Sequence, residues 1–467
     1  MAVLPTLVLV VWGMGLLLLD LVVPRERKSA VAWLALLGMG VAFVAGLSRW
    51  GRPLNGFDDA VRLDNYGLFL SSIVIIAGML TVLLSLPYLR ERGEYDVLLL
   101  FSLGGMTLVS SANDLTVLFI ALELMSIPLY VLVGLTRPWA DGEARASEES
   151  ALKHFLLGAF ASAFLIYGIA LVYGGVGSTS LPKIALGITD GNLTLTLVGA
   201  GFVLVGLAFK VAAVPFHMWA PDVYEGAPGP VAGFMSVALK TAGFAALGRV
   251  FVLALPALRD DWTPVVAALA ALTMILGNVV ALSQDNVKRM LAYSSIAHTG
   301  YVLIGVAACS ERGLAAMLFY LLAYALTKLG AFAALIAVAR YNFSYAGLAR
   351  REPWLAAAMA LFMFSLTGMP PTGGFVGKYY VFWAAVEADL FWLAVLGMLT
   401  SLVSAVFYLR IVAAMYFDAP ACDDVPCPSR HPALLAVLVL TAAGTLILGL
   451  WPGPLLEMLQ NSVWITF

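Results

Sequence analysis

Long, nearly uncharged apolar stretches recur along the whole chain, and no other feature constrains its fold as strongly. A helix needs about 20 residues to cross the roughly 30 Å of hydrocarbon in a bilayer. Fourteen stretches of that length are centred near residues 13, 39, 77, 103, 125, 162, 206, 240, 272, 298, 325, 370, 402 and 442. Because a helix satisfies its own backbone polar groups in lipid, the pattern predicts an all-α polytopic membrane protein. We refer to the predicted transmembrane helices as spans 1 to 14.

The composition excludes a soluble globular protein. Of the 467 residues, 62% are hydrophobic and 12% are charged, whereas soluble domains carry about 25% charged residues. The net charge of −2 offers no basic excess for nucleic acid. Cys309, Cys422 and Cys427 are too few and too unevenly spaced for an iron–sulfur or zinc site. We therefore expect this chain to bind no cofactor or metal of its own.

The first apolar segment, Val3–Val23, lacks the basic start of a signal peptide and has a longer apolar core. We therefore expect it to be retained as span 1. With both termini outside, the inner connections hold 13 Lys and Arg residues and the outer ones hold 6. Positive residues favour the inner side, so the bias predicts a multi-pass protein of the cell membrane with both termini on the periplasmic side. Pro420–Pro432 is interpreted as a surface loop.

Four pairs of landmarks suggest an internal repeat. Leu-Gly-Ala-Phe-Ala occurs at Leu157–Ala161 and Leu329–Ala333, an offset of 172. The other pairs have offsets between 168 and 175: Glu123 with His298, Lys210 with Lys378, and Lys240 with Arg410. The matches pair spans 5–8 with spans 10–13, which suggests five-span units made of spans 4–8 and 9–13. An odd number of spans per unit inverts the second copy, which predicts two inverted five-helix repeats.

Five charged residues lie well inside predicted spans, together with one histidine. They are Glu123 in span 5, Lys210 in span 7, Lys240 in span 8, Lys328 in span 11, Lys378 in span 12, and His298 in span 10. The five charges cost on the order of 12–18 kcal/mol if unpaired, which exceeds the stability of a typical domain, about 5–15 kcal/mol. They must therefore pair, line a hydrated cavity, or be partly neutral.

The choice of lysine is informative. Burial lowers the pKa of a lysine and a nearby carboxylate raises it again, so such a lysine can be switched by moving its partner. Arginine stays charged. The set therefore favours a proton relay, with Glu123 as the expected partner of Lys210. The alternative is that Glu123 and Lys210 form an ion pair that serves only folding.

Two spans are predicted to break beside these lysines. Pro215 in span 7 lacks an N–H donor and frees the carbonyl of Val211, next to Lys210. In span 12, two prolines and four glycines interrupt the segment Ser365–Lys378. Non-helical backbone at membrane depth is tolerated where it is buried in protein or lines a cavity. An ordinary proline kink is the alternative interpretation.

Four stretches resemble a known family. The segments Ala151–Phe160, Lys210–Pro228, Asn286–His298 and Gly373–Lys378 look like subunit N of bacterial NADH:quinone oxidoreductase, respiratory complex I. The resemblance extends from about Tyr66 to Phe417. Related families include sibling antiporter-like subunits of complex I and subunits of multisubunit sodium/proton antiporters.

The resemblance implies fourteen helices, broken helices 7 and 12, and specific residue roles. Glu123 would be the acidic partner and Lys210 the switching lysine. Lys240 would be the central relay, His298 the link between halves, and Lys378 the terminal group. We expect Lys328 to be one more proton station, because Tyr320, Tyr324 and Thr327 in its span can hold water.

The resemblance also implies partners, cofactors and an organisation of the chain. NADH, FMN, iron–sulfur clusters and quinone would bind other subunits, and this chain would contact sibling membrane-arm subunits and lipid. Within one membrane domain, 1–467, we expect helices 1–3 in 1–95, the first repeat in 96–255, the second in 262–418, and helix 14 in 430–467. Two other functions stay open: a sodium/proton antiporter subunit and a structural membrane scaffold.

Overall fold

Each predicted apolar stretch corresponds to a helix or, in span 12, to two helices. The computed structural model describes residues 2–24, 27–87, 93–135, 141–188, 191–340, 345–419 and 431–462. In chain order the spans are Leu4–Asp20, Ser29–Leu47, Asn65–Ser85, Gly93–Ser111, Leu115–Val133, Asp141–Val176, Leu193–Val211, Gly229–Ala254, Arg259–Leu282, Val287–Ala307, Glu311–Arg340, Pro353–Thr367 with Gly373–Glu387, Phe391–Phe417 and Pro432–Leu450. Shorter helices are Leu181–Gly187, Trp219–Gly226, Pro256–Leu258, Leu348–Arg351 and Gly453–Ser462.

Eleven of the described helices are long and apolar enough to cross a membrane, fewer than the fourteen predicted. Span 1 has only 17 residues. Span 4 carries Glu94 and Asp96 in its first turn. Span 12 is divided by its break into two helices of 15 residues each. The fold is therefore an all-helical, multi-pass membrane fold, and the count of fourteen crossings stays a prediction.

A small β-hairpin contains the only β-strands among the described residues. Strand β1, Leu54–Gly56, pairs antiparallel with β2, Val61–Leu63, in the connection between spans 2 and 3. Isolated bridges join Val61 to Ala112 and Asp114 to Ser180. These contacts bring together the connections 2–3, 4–5 and 6–7, which the sequence assigns to the same side. The predicted loop Pro420–Pro432 lies outside the described residues except for its last two positions.

The central helices are the ones that carry the buried polar residues. The apolar windows of spans 8 and 10 are each 94% buried, and that of span 11 is 89% buried. Spans 2, 6, 13 and 14 are each 39% buried and form the periphery. Lipid-facing helices therefore surround a protein interior in which polar groups depend on one another.

Both predicted breaks exist, and they share one backbone pattern. Ala212, with φ +57°, directly follows the helix of span 7. Gly368, with φ +91°, directly follows the first half-helix of span 12. The amide of the next residue donates to the carbonyl four positions before this left-handed residue, Ala213 to Ala208 and Met369 to Phe364. This pattern repeats at an offset of 156 residues.

The offset of the breaks corrects one part of the repeat prediction. Lys210 lies before the break of span 7, at the end of a helix, whereas Lys378 lies after the break of span 12, inside the second half-helix. Their offset of 168 therefore does not join equivalent positions of the two breaks. The inverted arrangement of the two units stays a prediction.

Span 8 contains two π-helical segments that the sequence did not predict. Met235–Leu239 and Gly248–Ala254 flank the α-helical stretch Lys240–Leu247. Single π-helical turns inside α-helices are frequent at functional sites. The first segment ends immediately before Lys240.

Candidate functional site

The predicted site residues lie in the interior of the helix bundle. The five basic ones are each at most 4% exposed, and Glu123 is partly buried. They are Lys210, Lys240, His298, Lys328 and Lys378. Among the described residues, no ion pair involves any of the four lysines of this set. Hydroxyl and carbonyl oxygens hold them instead.

Glu123 and Lys210 are neighbours but do not form the direct ion pair that the sequence led us to expect. The Lys210 ammonium donates to the hydroxyl of Ser126, with 2.9 Å between the two atoms. The Glu123 carboxylate accepts from the hydroxyl of Ser162 at 2.5 Å. Since Ser126 lies one turn after Glu123 on span 5, a serine stands where the carboxylate was expected. The acid and the base are thus held apart, each by its own hydroxyl.

Lys240 is connected to the break of span 7 through a threonine. Its ammonium donates to the carbonyl of Ser295 at 2.5 Å and to the hydroxyl of Thr299 at 2.7 Å. The Thr299 hydroxyl in turn donates to the carbonyl of Val211 at 2.8 Å. Pro215 cannot supply the helical donor for that carbonyl. Thr299 therefore connects the carbonyl freed beside Lys210 to the ammonium of Lys240.

Lys328 belongs to a continuous hydrogen-bonded chain that ends beyond His298. Its ammonium donates to the hydroxyl of Ser294 at 2.8 Å. Ser294 is hydrogen-bonded to the hydroxyl of Tyr408 at 2.5 Å, and Tyr408 contacts His298 Nε2 at 3.2 Å. On the other side of the ring, His298 Nδ1 is hydrogen-bonded to Tyr320 at 2.7 Å. Each of these groups except the ammonium can both donate and accept.

Lys378 caps the C-terminal end of the first half of span 12. Its ammonium donates to the carbonyls of Leu366 and Thr367, both at 2.9 Å, and to the hydroxyl of Ser401 at 2.7 Å. Neither residue of Pro370–Pro371 has an N–H, so these two carbonyls lose their helical donors. A cation is also favoured at the negative end of a helix dipole. The break therefore creates the binding site of the lysine.

Aromatic rings fill the space between the lysines. The Lys378 ammonium lies 4.7 Å from the centre of the Tyr301 ring, and that ring meets His298 edge-on at 5.6 Å. The Lys328 ammonium lies 5.8 Å from the Tyr324 ring, whose hydroxyl donates to Ser295 at 2.9 Å. Sequence reasoning anticipated Tyr324 but missed Tyr301, which follows His298 by one helical turn.

A buried arginine that sequence reasoning missed joins three spans. Arg249 is 1% exposed and pairs with Asp64, with 2.8 Å between Nη2 and Oδ1. Its Nε donates to the carbonyl of Ser110 at 2.7 Å. Because arginine keeps its proton, this pair connects spans 3, 4 and 8 as a fixed contact.

A half-exposed charged cluster lies at the end of the bundle opposite to Arg249. Lys153 contacts Asp222 at 3.0 Å, and Arg289 contacts Asp222 at 2.9 Å and Glu225 at 2.6 Å. We call these four residues the surface cluster. It joins span 6, the helix Trp219–Gly226 and span 10. Arg410, the repeat match of Lys240, donates to the carbonyls of Leu282 and Gln284 at the end of span 9.

Comparisons with known proteins agree on one family. Residues 112–404 match the model of the family described as NADH:quinone oxidoreductase/Mrp antiporter, TM. The chain is 46% identical over 476 residues to NADH-quinone oxidoreductase subunit N of Chloroflexus aggregans, covering 98% of this chain and 96% of the relative. A chain of respiratory complex I from Thermus thermophilus is 36% identical and superposes with a TM-score of 0.84, covering 97% of this chain and 99% of that one. A chain of the Mrp complex from a Dietzia species shares the fold, with a TM-score of 0.89 at 22% identity, covering 99% of this chain and 97% of that one.

Proposed function

Since the chain belongs to the family of NADH-quinone oxidoreductase subunit N, the antiporter-like membrane subunit of complex I, we propose that it carries protons across the membrane through its row of buried lysines. Quinone reduction in other subunits supplies the energy. NADH, FMN, the iron–sulfur clusters and quinone are bound by those subunits. Neighbouring membrane-arm subunits, including sibling antiporter-like ones, pack against this chain in the bacterial inner membrane.

One observation carries the proposal: the hydrogen-bonded chain from Lys328 through Ser294 and Tyr408 to His298. A proton moves along such a chain when each member donates to one neighbour and accepts from the other. Hydroxyls and imidazole can do both. A set of charges that only held helices together would not need three such groups in a row.

The lysines supply the switch. Lys210 is an example. Its hydrogen-bond partner is the neutral hydroxyl of Ser126, while the carboxylate of Glu123 accepts from Ser162. Moving Glu123 toward Lys210 favours the ammonium, and moving it away favours the neutral amine. A change of one pKa unit corresponds to about 1.4 kcal/mol, and moving one proton against 100 mV requires about 2.3 kcal/mol. Shifts of two units at one lysine therefore cover the cost.

Replacement of Lys210 by alanine tests the proposal. In the assembled enzyme reconstituted into vesicles, Lys210→Ala should lower proton pumping and coupled quinone reduction, because the first switching group is lost. Assembly is checked by the content of the other subunits in the purified complex. Wild-type pumping by a fully assembled Lys210→Ala enzyme would favour a structural scaffold.

The purified assembly separates the remaining alternative. Co-purification of this chain with flavin and iron–sulfur subunits is expected. Co-purification with a set of membrane subunits without redox centres, together with sodium-dependent proton movement, would identify a sodium/proton antiporter instead.

A further inference from the structure

Four aromatic rings pack together where span 5, span 6 and the helix Trp219–Gly226 meet. His154 stacks on Trp219, with 4.8 Å between ring centres and 11° between planes. Tyr130 meets the His154 ring edge-on, with 4.7 Å between ring centres. Tyr224 meets Trp219 edge-on at 6.0 Å. We call His154, Tyr130, Trp219 and Tyr224 the ring cluster, and none of its members was singled out by sequence reasoning.

His154 Nδ1 is a buried polar atom of the ring cluster, and no group among the described residues hydrogen-bonds to it. The hydroxyls of Tyr130 and Tyr224 are also buried, and they lie beside the hydroxyls of Ser126 and Ser295. His154 as a whole is 4% exposed. Buried polar groups in native proteins are nearly always hydrogen-bonded, to ordered water where no protein group is available. His154 Nδ1 and the hydroxyl of Tyr130, whose ring contacts the imidazole edge-on, provide polar partners for a buried water.

On one side, the ring cluster adjoins the charged surface cluster. His154 follows Lys153 in the sequence, and Lys153 contacts Asp222 at 3.0 Å. Asp222 lies one turn after Trp219 on the same short helix. The ring cluster is therefore joined to solvent-accessible charges within one helical turn.

On the other side, the ring cluster adjoins Lys210. The indole N–H of Trp219 donates to the carbonyl of Phe209 at 2.9 Å, directly before Lys210 in the chain. Tyr130 lies one turn after Ser126 on span 5, and Ser126 accepts the hydrogen bond of Lys210. The ring cluster thus fills the interval between the surface cluster and the first lysine of the row.

We propose that the ring cluster is a hydrated proton-transfer site and that His154 is the residue that carries protons from the surface cluster toward Lys210. This inference rests on the proposed function. Neutral imidazole accepts a proton at one ring nitrogen and releases one from the other, so each passage returns the ring to its starting charge and consumes nothing. The hydroxyl of Tyr130 orients the water.

Two substitutions of His154 test the inference in the assembled enzyme. His154→Phe keeps an aromatic ring for stacking on Trp219 and removes both nitrogens. Positioned acid–base groups contribute about 10²–10⁴-fold, and water in the site recovers part of that, so we expect pumping to fall about tenfold. Phe160→Leu is the matched control, because Phe160 lies on the same span and its side chain is 66% exposed. It should leave pumping unchanged.

Chemical rescue separates proton transfer from packing. His154→Ala opens space for free imidazole, and added imidazole should restore pumping in His154→Ala while leaving His154→Phe impaired. A loss in His154→Ala that imidazole does not restore would overturn the inference, as would wild-type pumping by an assembled His154→Phe enzyme. Lys210→Ala is measured in parallel: if it is impaired while both His154 variants pump normally, only this inference fails, and if Lys210→Ala also pumps normally, the proposed function fails with it.

Discussion

The hydroxyl of Thr299 donates to the backbone carbonyl of Val211, with 2.8 Å between the two oxygens, while the same hydroxyl accepts from Lys240 at 2.7 Å. Thr299 is 1% exposed. One side chain thus joins the helix break beside Lys210 to the lysine of the next span. If Lys240 loses its proton, the amine can accept from Thr299, and the carbonyl of Val211 then loses its donor. The state of one lysine is in this way linked to the backbone next to the other.

Removing the Thr299 hydroxyl should weaken that link. Thr299→Val preserves the shape of the side chain and deletes the hydrogen bonds that join Lys240 to the carbonyl of Val211, each worth about 0.5–1.5 kcal/mol. We expect proton pumping to fall by about 2- to 10-fold, since 1.36 kcal/mol is a tenfold change in rate. Pumping is measured in vesicles against the NADH oxidation rate.

Two comparisons make the Thr299 experiment specific. Thr299→Ser retains the hydroxyl and should pump close to the wild-type rate. Thr241→Val is the matched control, because the one hydrogen bond of the Thr241 hydroxyl to a described residue is to the carbonyl of Val237 in its own span. Equal losses in Thr299→Val and Thr241→Val would show that the effect comes from general packing.

Glu123 and Lys210 should act as one unit although they do not touch in this structure. Glu123→Gln keeps the acceptor for Ser162 and removes the charge. We expect Glu123→Gln and Lys210→Ala each to lower pumping, and the double variant to lose no more than the more impaired single one, because interacting residues are not additive. Losses that multiply in the double variant would mean that the two residues work independently.

Lys328 should belong to the proton route. Lys328→Met should slow pumping because it removes the titrating group, and Lys328→Arg should also impair it because arginine does not deprotonate. Ser294→Ala interrupts the same route at its next member, so it should slow pumping without a change of charge. Normal pumping by both Lys328 variants would exclude this residue from the route.

Gly368 should be essential for the position of Lys378. Its φ of +91° disfavours any residue with a Cβ, and an added Cβ would lie 3.0 Å from Cδ of Lys378. A left-handed conformation costs a residue with a Cβ about 1–2 kcal/mol, so Gly368→Ala should lower both pumping and the thermal stability of the complex. Gly201→Ala is the control, since nothing lies within 4 Å of its added Cβ and alanine favours the helix. Equal effects of the two variants would contradict this prediction.

Much of the fold follows from the sequence for a simple reason. Apolar stretches of the required length must be helices in lipid, and prolines must leave carbonyls without donors. The centres of the predicted spans, the breaks after Lys210 and before Lys378, and the freed carbonyl of Val211 all depend on these local rules, and the structure shows helices and breaks where they were predicted.

The partners of the buried charges do not follow from local rules. Sequence reasoning paired Lys210 with Glu123 because opposite charges attract, but the structure places Ser126 against Lys210 and Ser162 against Glu123. Ser126 and Glu123 are one turn apart on the same helix, so either side chain could meet the lysine. The packing of span 5 against span 7 decides which one does, and neither helix encodes that packing alone.

Local rules thus explain why the lysines are buried, but they do not explain which groups the lysines contact. The sequence determined that the lysines are buried, because they lie inside apolar helices, and that breaks lie beside two of them. Only the packing of spans 10, 11 and 13 brought Lys328, Ser294, Tyr408 and His298 into one chain, since Tyr408 is 110 residues from His298. Hydrogen bonds between distant helices need atoms within about 3 Å, and only the assembled bundle brings them that close.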